Sequence, residues 1–199
     1  MNISDQIQSK VKTLGLKLAE VHLHERFSSS QSDHRIFLRE SIYENLSAAF
    51  SREKRPQILL LDQIPQPDEG YLSIVHCKGI GGYIYASNPI GIDIELSARI
   101  SREVIDRVAQ PQELNEAPFF QLLWSAKEAT FKSLRGTDQP PVASEIFIES
   151  WREQYDASPE AKTYAYTAQR NENSARIDGV GLAGLAEGYT WAVFALSKA

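Results

Sequence analysis

The chain has 199 residues, of which 42% are hydrophobic, and a single cysteine, Cys77. This length and hydrophobic fraction predict one domain, or two small domains joined closely, with a buried hydrophobic core. A single cysteine excludes disulfides within the chain. The net charge of -5 argues against a surface that coats nucleic acid, and the start of the chain lacks the apolar segment of a signal peptide or membrane span. We therefore expect a cytoplasmic protein that binds neither membranes nor nucleic acid.

The first half of the chain is predicted to combine strands with one helix. After a short leader, residues 17–24 alternate apolar and polar side chains, which is typical of a half-buried strand. An apolar stripe at helical spacing predicts a helix over residues 33–51. Three strand-like runs separated by turn residues then predict a meander, at residues 71–77, 82–87 and 90–95.

The second half repeats this order of elements. Helical spacing indicates helices near residues 101–109 and 117–134, and strand-like runs follow at residues 144–151, 163–169, 175–180 and 189–196. Because strand, helix and strands occur twice, we predict an α+β fold, a pseudo-twofold duplication of an α+β unit with antiparallel sheets and the active site at the junction of the halves. The predicted domains are residues 1–98 and 99–199.

The strand predicted at residues 90–95, here called the carboxylate strand, places two acids on one face. Alternation puts Gly91, Asp93 and Glu95 together and three isoleucines on the opposite face. Two neighbouring carboxylates can bind one hard cation such as Mg²⁺, and the glycine beside them would let a ligand approach the backbone. The alternative is a solvated strand face.

The helix predicted at residues 117–134 carries two lysines in different positions. Glu128 and Lys132 lie four residues apart on its polar stripe, where such a pair usually forms a modest surface salt bridge. Lys127 falls among apolar positions instead. Either its aliphatic stem lies along apolar surface, or its ammonium group reaches an anionic ligand at the junction of the halves.

Two motifs together resemble the signatures of the 4'-phosphopantetheinyl transferase superfamily. They are Ile-Gly-Ile-Asp-Ile-Glu at residues 90–95 and Trp-Ser-Ala-Lys-Glu-Ala-Thr-Phe-Lys at residues 124–132, in the family's order and separation. The resemblance implies a holo-[acyl-carrier-protein] synthase type enzyme that transfers the phosphopantetheine arm of coenzyme A to a serine of an apo acyl or peptidyl carrier protein, releasing 3',5'-ADP. The order of elements looks like the monomeric surfactin-type branch.

The same resemblance implies roles for the motif residues. Asp93, Glu95 and Glu128 would hold Mg²⁺ against the cofactor's pyrophosphate, while Lys132, and with it Lys127, would contact phosphates. Glu128 would be a base, a metal ligand or both, and Lys132 would stabilise the leaving phosphate. The alternative is a catalytically silent module that binds coenzyme A or a carrier protein, although a pure binder needs no metal cluster.

Three further residues are candidates for the cofactor's 3'-phosphate. His76 matches the histidine of the family's S-x-S-H-S motif, whereas Val75 and Cys77 replace two of its small polar residues. Arg35 and Arg39 lie on the inward side of the first predicted helix and suit a terminal phosphate through paired hydrogen bonds. The alternatives are a satisfied core histidine and an interdomain ion pair.

A basic segment after the carboxylate strand predicts where the carrier protein docks. Arg99, Arg102 and Arg107 cluster there, and the carriers of this family present acidic surfaces. The alternative is a solvated helix face balanced by Glu103 and Asp106.

Overall fold

The computed structural model describes residues 2–16, 19–60, 64–154, 162–170 and 176–197. Its helices are α1 (Ile3–Thr13), α2 (His34–Leu46), α3 (Arg55–Leu60), α4 (Arg102–Ile105), α5 (Pro111–Glu116) and α6 (Phe120–Ser133). Its strands are β1 (Glu20–His24), β2 (Tyr71–His76), β3 (Gly81–Ala86), β4 (Ile90–Leu96), β5 (Ile146–Gln154), β6 (Thr163–Arg170), β7 (Arg176–Ala186) and β8 (Tyr189–Leu196). Within these described ranges, no helix combines the length and apolar character needed to cross a membrane.

The strands form two antiparallel sheets. The first has three strands in the order β1-β3-β2, and the second has five in the order β4-β8-β7-β6-β5. The predicted α+β class with antiparallel sheets is confirmed. The duplication, the boundary between residues 98 and 99, and the placement of the site at a junction of two halves stay predictions.

Strand β4 is where the two sheets meet. One edge of β4 pairs with β8 over all seven of its residues. The other side packs beside β2, where the backbone N–H of Ile92 donates a hydrogen bond to Ser73 Oγ at 3.1 Å. A serine hydroxyl thus replaces ladder bonding at this point and fixes the position of the carboxylate strand.

Three clusters of buried side chains hold these elements together. The first joins α1 to the three isoleucines of β4, the second packs α6 on the five-stranded sheet, and the third packs α2 and α3 on the three-stranded sheet. Each buried isoleucine contributes about 1.5–3 kcal/mol relative to an exposed one. The isoleucine face of β4 is therefore structural, and its opposite face carries the acids.

The residues before the first predicted strand form a helix, α1, which the sequence analysis did not predict. Asn2 caps α1, because its side chain accepts the backbone N–H of Asp5 at 2.9 Å. Ile3, Ile7 and Val11 are buried at helical spacing along α1. The short helices α3 and α5 were not predicted either, because six-residue helices give too short a periodic signal.

Candidate functional site

Gly91 lets α6 pack directly on β4. A Cβ atom at this position would overlap the carbonyl oxygen of Ala129 and lie 2.6 Å from the backbone nitrogen of Ser133. Only a hydrogen atom fits there, so the helix backbone lies against the strand. The glycine therefore makes room for the helix and not, as the sequence suggested, for a ligand.

Asp93 projects from β4 into this contact and is only 7% exposed. Lys132 of α6 donates from Nζ to Asp93 Oδ1 at 2.9 Å and to the carbonyl oxygen of Ile92 at 3.2 Å. Asp93 Oδ2 is buried and has no hydrogen-bond partner among the described residues. A buried polar atom left unsatisfied costs about 1–3 kcal/mol, so this oxygen is available to a ligand, an ion or a water.

The other two predicted metal ligands have different surroundings. Burial raises the pKa of the Glu128 carboxyl, an effect that Lys132 opposes and Asp93 reinforces. Glu95 Oε1 accepts the backbone N–H of the next residue at 2.9 Å and the guanidinium of Arg99 at 3.4 Å. Glu128 therefore shares the electrostatic environment of Asp93, while Glu95 already has partners.

The three carboxylates suit a hard cation in their chemistry but do not converge on one. Carboxylate oxygens are ligands that Mg²⁺ prefers, and Asp93 Oδ2 lacks a partner in the part of the chain that the structure describes. Over the described ranges, no group of three or more histidine, cysteine, aspartate or glutamate side chains is arranged to hold a metal ion. Lys132 supplies the positive charge beside Asp93 instead. Mg²⁺ bound by Asp93, Glu95 and Glu128 stays a prediction.

A cleft of about 260 Å³ brings the three residues predicted to bind a terminal phosphate into one place. We call it the cationic cleft, because its polar lining consists of His34, Arg35, Arg39, His76 and Arg135. Helix α2, strand β2 and the end of α6 supply these side chains, and no aspartate or glutamate is among the described residues that line it. Such a concentration of positive charge in a protein of net charge -5 suits an anionic ligand.

His76 is exposed to the cationic cleft, so it is not the satisfied core histidine of the alternative interpretation. Its ring lies 5.7 Å from that of His34. Partial desolvation lowers the pKa of His76, and the positive charges of His34, Lys132 and Arg35 lower it further. His76 is therefore mostly neutral at pH 7 until an anion arrives.

The two departures from the family's histidine motif lie in the core. Val75 is 3% and Cys77 is 2% exposed, on the opposite side of the chain from His76. Burial raises the pKa of the Cys77 thiol to about 12. Neither side chain reaches the cationic cleft, so the missing hydroxyl groups leave its lining unchanged.

Two residues of the cationic cleft, His34 and Arg135, are absent from the sequence prediction. His34 opens α2 directly before Arg35. Arg135 follows Lys132 by three residues, a spacing that puts two side chains on one side of a helix end. That spacing was the available signal for Arg135, and the position of His34 beside Arg35 was the signal for His34.

Lys127 is enclosed by protein and does not reach a ligand in this arrangement. Its Nζ lies 2.7 Å from Glu113 Oε1, with the two side chains 1% and 0% exposed, and it also donates to the carbonyl oxygen of Ile146. Glu113 accepts two further backbone N–H groups, from Ile148 and from Gln110, each at 2.8 Å. Burial lowers the pKa of Lys127, which Glu113 opposes. The ion pair with Glu113 is a role that the sequence did not predict, and contact between Lys127 and a phosphate stays a prediction.

The predicted docking arginines differ in their partners. Arg99 faces Glu95 at 3.4 Å, and Arg102 faces Asp106 at 2.8 Å in an exposed pair one turn apart. Arg107 is exposed and has no side-chain partner in the part of the chain that the structure describes. Arg107 is therefore the freest charge of this segment, and docking of a carrier protein stays a prediction.

Comparison with protein families identifies the class of enzyme. A model of the 4'-phosphopantetheinyl transferase superfamily matches residues 89–190, just over half of the chain, and the matched stretch contains both β4 and α6. The chain belongs to the 4'-phosphopantetheinyl transferase superfamily, whose members use coenzyme A and act on carrier proteins. A comparison with curated proteins gives no match.

Proposed function

We propose that the chain transfers the 4'-phosphopantetheine arm of coenzyme A to a serine of an apo acyl or peptidyl carrier protein, with Mg²⁺, and releases 3',5'-ADP. The observation that carries this proposal is the cationic cleft, where five positively ionisable side chains, and no acid among the described residues, line one surface of an acidic protein. Coenzyme A carries a phosphate at each end of its ribose, and a cleft of this charge complements such a ligand.

The proposed enzyme is a monomer of the surfactin-type branch in the cytoplasm. Two antiparallel sheets in one chain, joined at β4, support a site built by a single subunit. Analytical ultracentrifugation checks the monomer, and a trimer would contradict this assignment.

The cofactor would be held by residues of the cationic cleft and by Lys132. Arg35 and Arg39 would bind the 3'-phosphate through their guanidinium groups, with His76 beside them. Lys132, already 2.9 Å from Asp93, would hold the pyrophosphate near the carboxylate strand and stabilise the leaving phosphate. These contacts would orient the diphosphate before the carrier protein arrives.

The reaction forms a bond between the serine oxygen and the β-phosphorus and breaks the bond from that phosphorus to the bridging oxygen. Mg²⁺ bound by Asp93, Glu95 and Glu128 would neutralise charge on the diphosphate. Glu128 would either accept the serine proton, directly or through water, or act only as a ligand. Comparison of Glu128→Gln with Asp93→Asn for Mg²⁺ binding separates these roles, because a pure base leaves metal affinity unchanged.

One assay tests the proposed transfer. The chain is incubated with coenzyme A, Mg²⁺ and a panel of apo carrier proteins, and intact mass spectrometry detects a covalent arm on the carrier serine. We expect the arm on at least one carrier, and its loss when EDTA is added or when the carrier serine is replaced by alanine.

The silent module is the second candidate, and the same assay distinguishes it. Such a module would bind coenzyme A or a carrier protein in calorimetry without modifying any carrier. Asp93 Oδ2 has no partner within the described ranges, which supports the enzyme, because a module that only binds has no need to keep a buried carboxylate oxygen unsatisfied. Tight binding without transfer across the whole panel would establish the module instead.

A further inference from the structure

Arg135 lies just beyond the C-terminal end of α6, between two neighbouring clefts. It lines the cationic cleft with Arg35 and His76, and it also lines a second cleft of about 170 Å³ together with Lys132 and Ser73. The two clefts share Arg135 and two apolar residues, so Arg135 is the charged residue common to both. A ligand that extends from one cleft into the other must pass this guanidinium.

The Arg135 side chain has no partner among the described residues. It is exposed and forms no hydrogen bond or ion pair with the residues that the structure describes. Arg39, by contrast, donates to the carbonyl oxygen of Ile58 at 2.6 Å, and Arg170 pairs with Asp138 at 3.1 Å. An unpaired guanidinium beside other cations is repelled by them, and an anion removes that repulsion.

The helix dipole explains only in part why an arginine occupies position 135. The C-terminal end of a helix attracts a cation, so an arginine directly after α6 stabilises the helix slightly. An arginine that pointed into solvent would stabilise the helix end equally well. It does not explain why Arg135 faces the same space as Arg35, His76 and Lys132.

We propose that Arg135 is a phosphate-binding residue of this chain, a role that rests on the proposed function. A guanidinium presents several N–H donors in one plane and binds phosphate oxygens in pairs, which a lysine ammonium group does not do. The ligand class is a nucleotide phosphorylated at both ends of its ribose. Ile64 and Ile74, shared by the two clefts, offer the apolar wall for its sugar and base.

The test measures cofactor affinity without the reaction. Isothermal calorimetry in EDTA, with no carrier protein, compares the binding of coenzyme A and dephospho-coenzyme A to the parent, Arg135→Gln and Arg135→Lys. Arg52→Gln is the matched control, because Arg52 is exposed outside both clefts and its substitution changes the net charge equally. Thermal denaturation of each variant checks that folding is intact.

We expect Arg135→Gln to weaken coenzyme A binding about tenfold relative to Arg52→Gln, which is the loss of one charge-assisted hydrogen bond. Arg135→Lys should recover part of that loss, since the charge remains while the paired geometry is removed. A shallower dependence of affinity on salt should accompany the loss in Arg135→Gln. A purely structural role would instead lower the melting temperature and leave affinity as in the control.

The two cofactors distinguish which phosphate Arg135 contacts. Weaker binding of coenzyme A alone assigns it to the 3'-phosphate, and equal weakening of both assigns it to the pyrophosphate. Affinities equal to those of Arg52→Gln overturn the inference, as does a defect seen only with the carrier protein, which would make Arg135 a docking residue. A parent chain that binds neither cofactor would overturn the proposed function itself, and this inference with it.

Discussion

Helix α6 carries two lysines five residues apart, and each meets a carboxylate in different surroundings. Lys127 and Glu113 are 1% and 0% exposed, and their charged atoms lie 2.7 Å apart. Lys132 and Asp93 are 30% and 10% exposed at the side chain, and their charged atoms lie 2.9 Å apart. The two contacts have nearly the same length, so the distance alone does not separate a structural pair from a functional one.

The difference lies in what else each pair binds. Both oxygens of Glu113 accept hydrogen bonds, and Lys127 also donates to a backbone carbonyl. In the pair of Lys132 and Asp93, by contrast, Asp93 Oδ2 has no partner among the described residues. A pair whose polar atoms are all satisfied holds the fold together, whereas a pair with one atom unsatisfied is open to a ligand.

Breaking the enclosed pair should have the largest effect on stability. Lys127→Ala would leave the Glu113 carboxylate buried without its counter-ion, and we expect a loss of about 3–5 kcal/mol in the free energy of unfolding, measured by urea denaturation. The double variant Lys127→Met with Glu113→Gln should lose less, because no charge stays buried alone. Unfolding of Lys127→Ala at the parent's urea midpoint would contradict this reading of the pair.

Breaking the open pair should have the opposite profile. Asp93→Ala removes a candidate ligand of a hard cation, including an oxygen without a partner in the described ranges, so transfer to the carrier protein should fall to the detection limit of mass spectrometry. The free energy of unfolding should change by less than about 1 kcal/mol. Transfer that persists in Asp93→Ala, or in the parent with excess EDTA, would remove Asp93 from the site.

The cationic cleft should respond to pH through His76, unlike the enclosed pair of Lys127 and Glu113. The pKa of free His76 lies below the ordinary value of 6.5 because of partial desolvation and its cationic neighbours. A bound phosphate would raise it again, so the folded chain should take up a proton at His76 when coenzyme A binds near pH 6.5. Calorimetry in buffers of different ionisation enthalpy measures that uptake.

The control for this experiment is His76→Asn, which keeps a polar side chain that does not titrate. Its proton uptake should be smaller than the parent's, and its KM for coenzyme A should rise about tenfold with a smaller change in kcat. Protonation of the phosphate itself is common to both proteins and cancels in the difference. Identical uptake by the two proteins would mean that His76 does not face the phosphate.

The exposed arginines give the smallest expected effect. Arg107 has no partner among the described residues, whereas Arg102 already faces Asp106, so Arg107→Glu should slow carrier association more than Arg102→Glu. The change should be a few-fold at low ionic strength and disappear as salt screens it. Stopped-flow association rates test this, with Arg52→Glu as the matched charge change. Equal rates in all three variants would place the docking surface elsewhere.

The sequence predicted most of the strands and helix α6, because the patterns of apolar and polar residues that mark them are local. Alternation over the carboxylate strand correctly separated its isoleucines from its acids. Arg35, Arg39 and His76, the residues expected at a phosphate, line one cleft, and their role there stays a prediction. The signals were separate and local: helical spacing for the two arginines, and the resemblance of residues 73–77 to the family's motif for His76.

The features that the sequence did not predict depend on contacts between segments that are distant in the chain. The sequence gives no sign that Glu113, on a six-residue helix, is the partner that encloses Lys127. The sequence also predicted that the space beside Gly91 admits a ligand, because no local pattern shows that the backbone of α6 fills this space. The pairing of β4 with β8 likewise joins segments about a hundred residues apart, a distance at which periodicity carries no information.

The double attachment of β4 also decides how this chain can be divided into fragments. A cut after residue 98 would leave β4 on the first fragment and its partner β8 on the second. Each fragment would then present an unpaired strand edge, and the second would expose the buried row that includes Trp191 and Val193. Such fragments would aggregate when expressed singly. Produced together, they would regain the site only when β4 pairs with β8 again, which makes fragment complementation a direct reporter of carboxylate-strand docking.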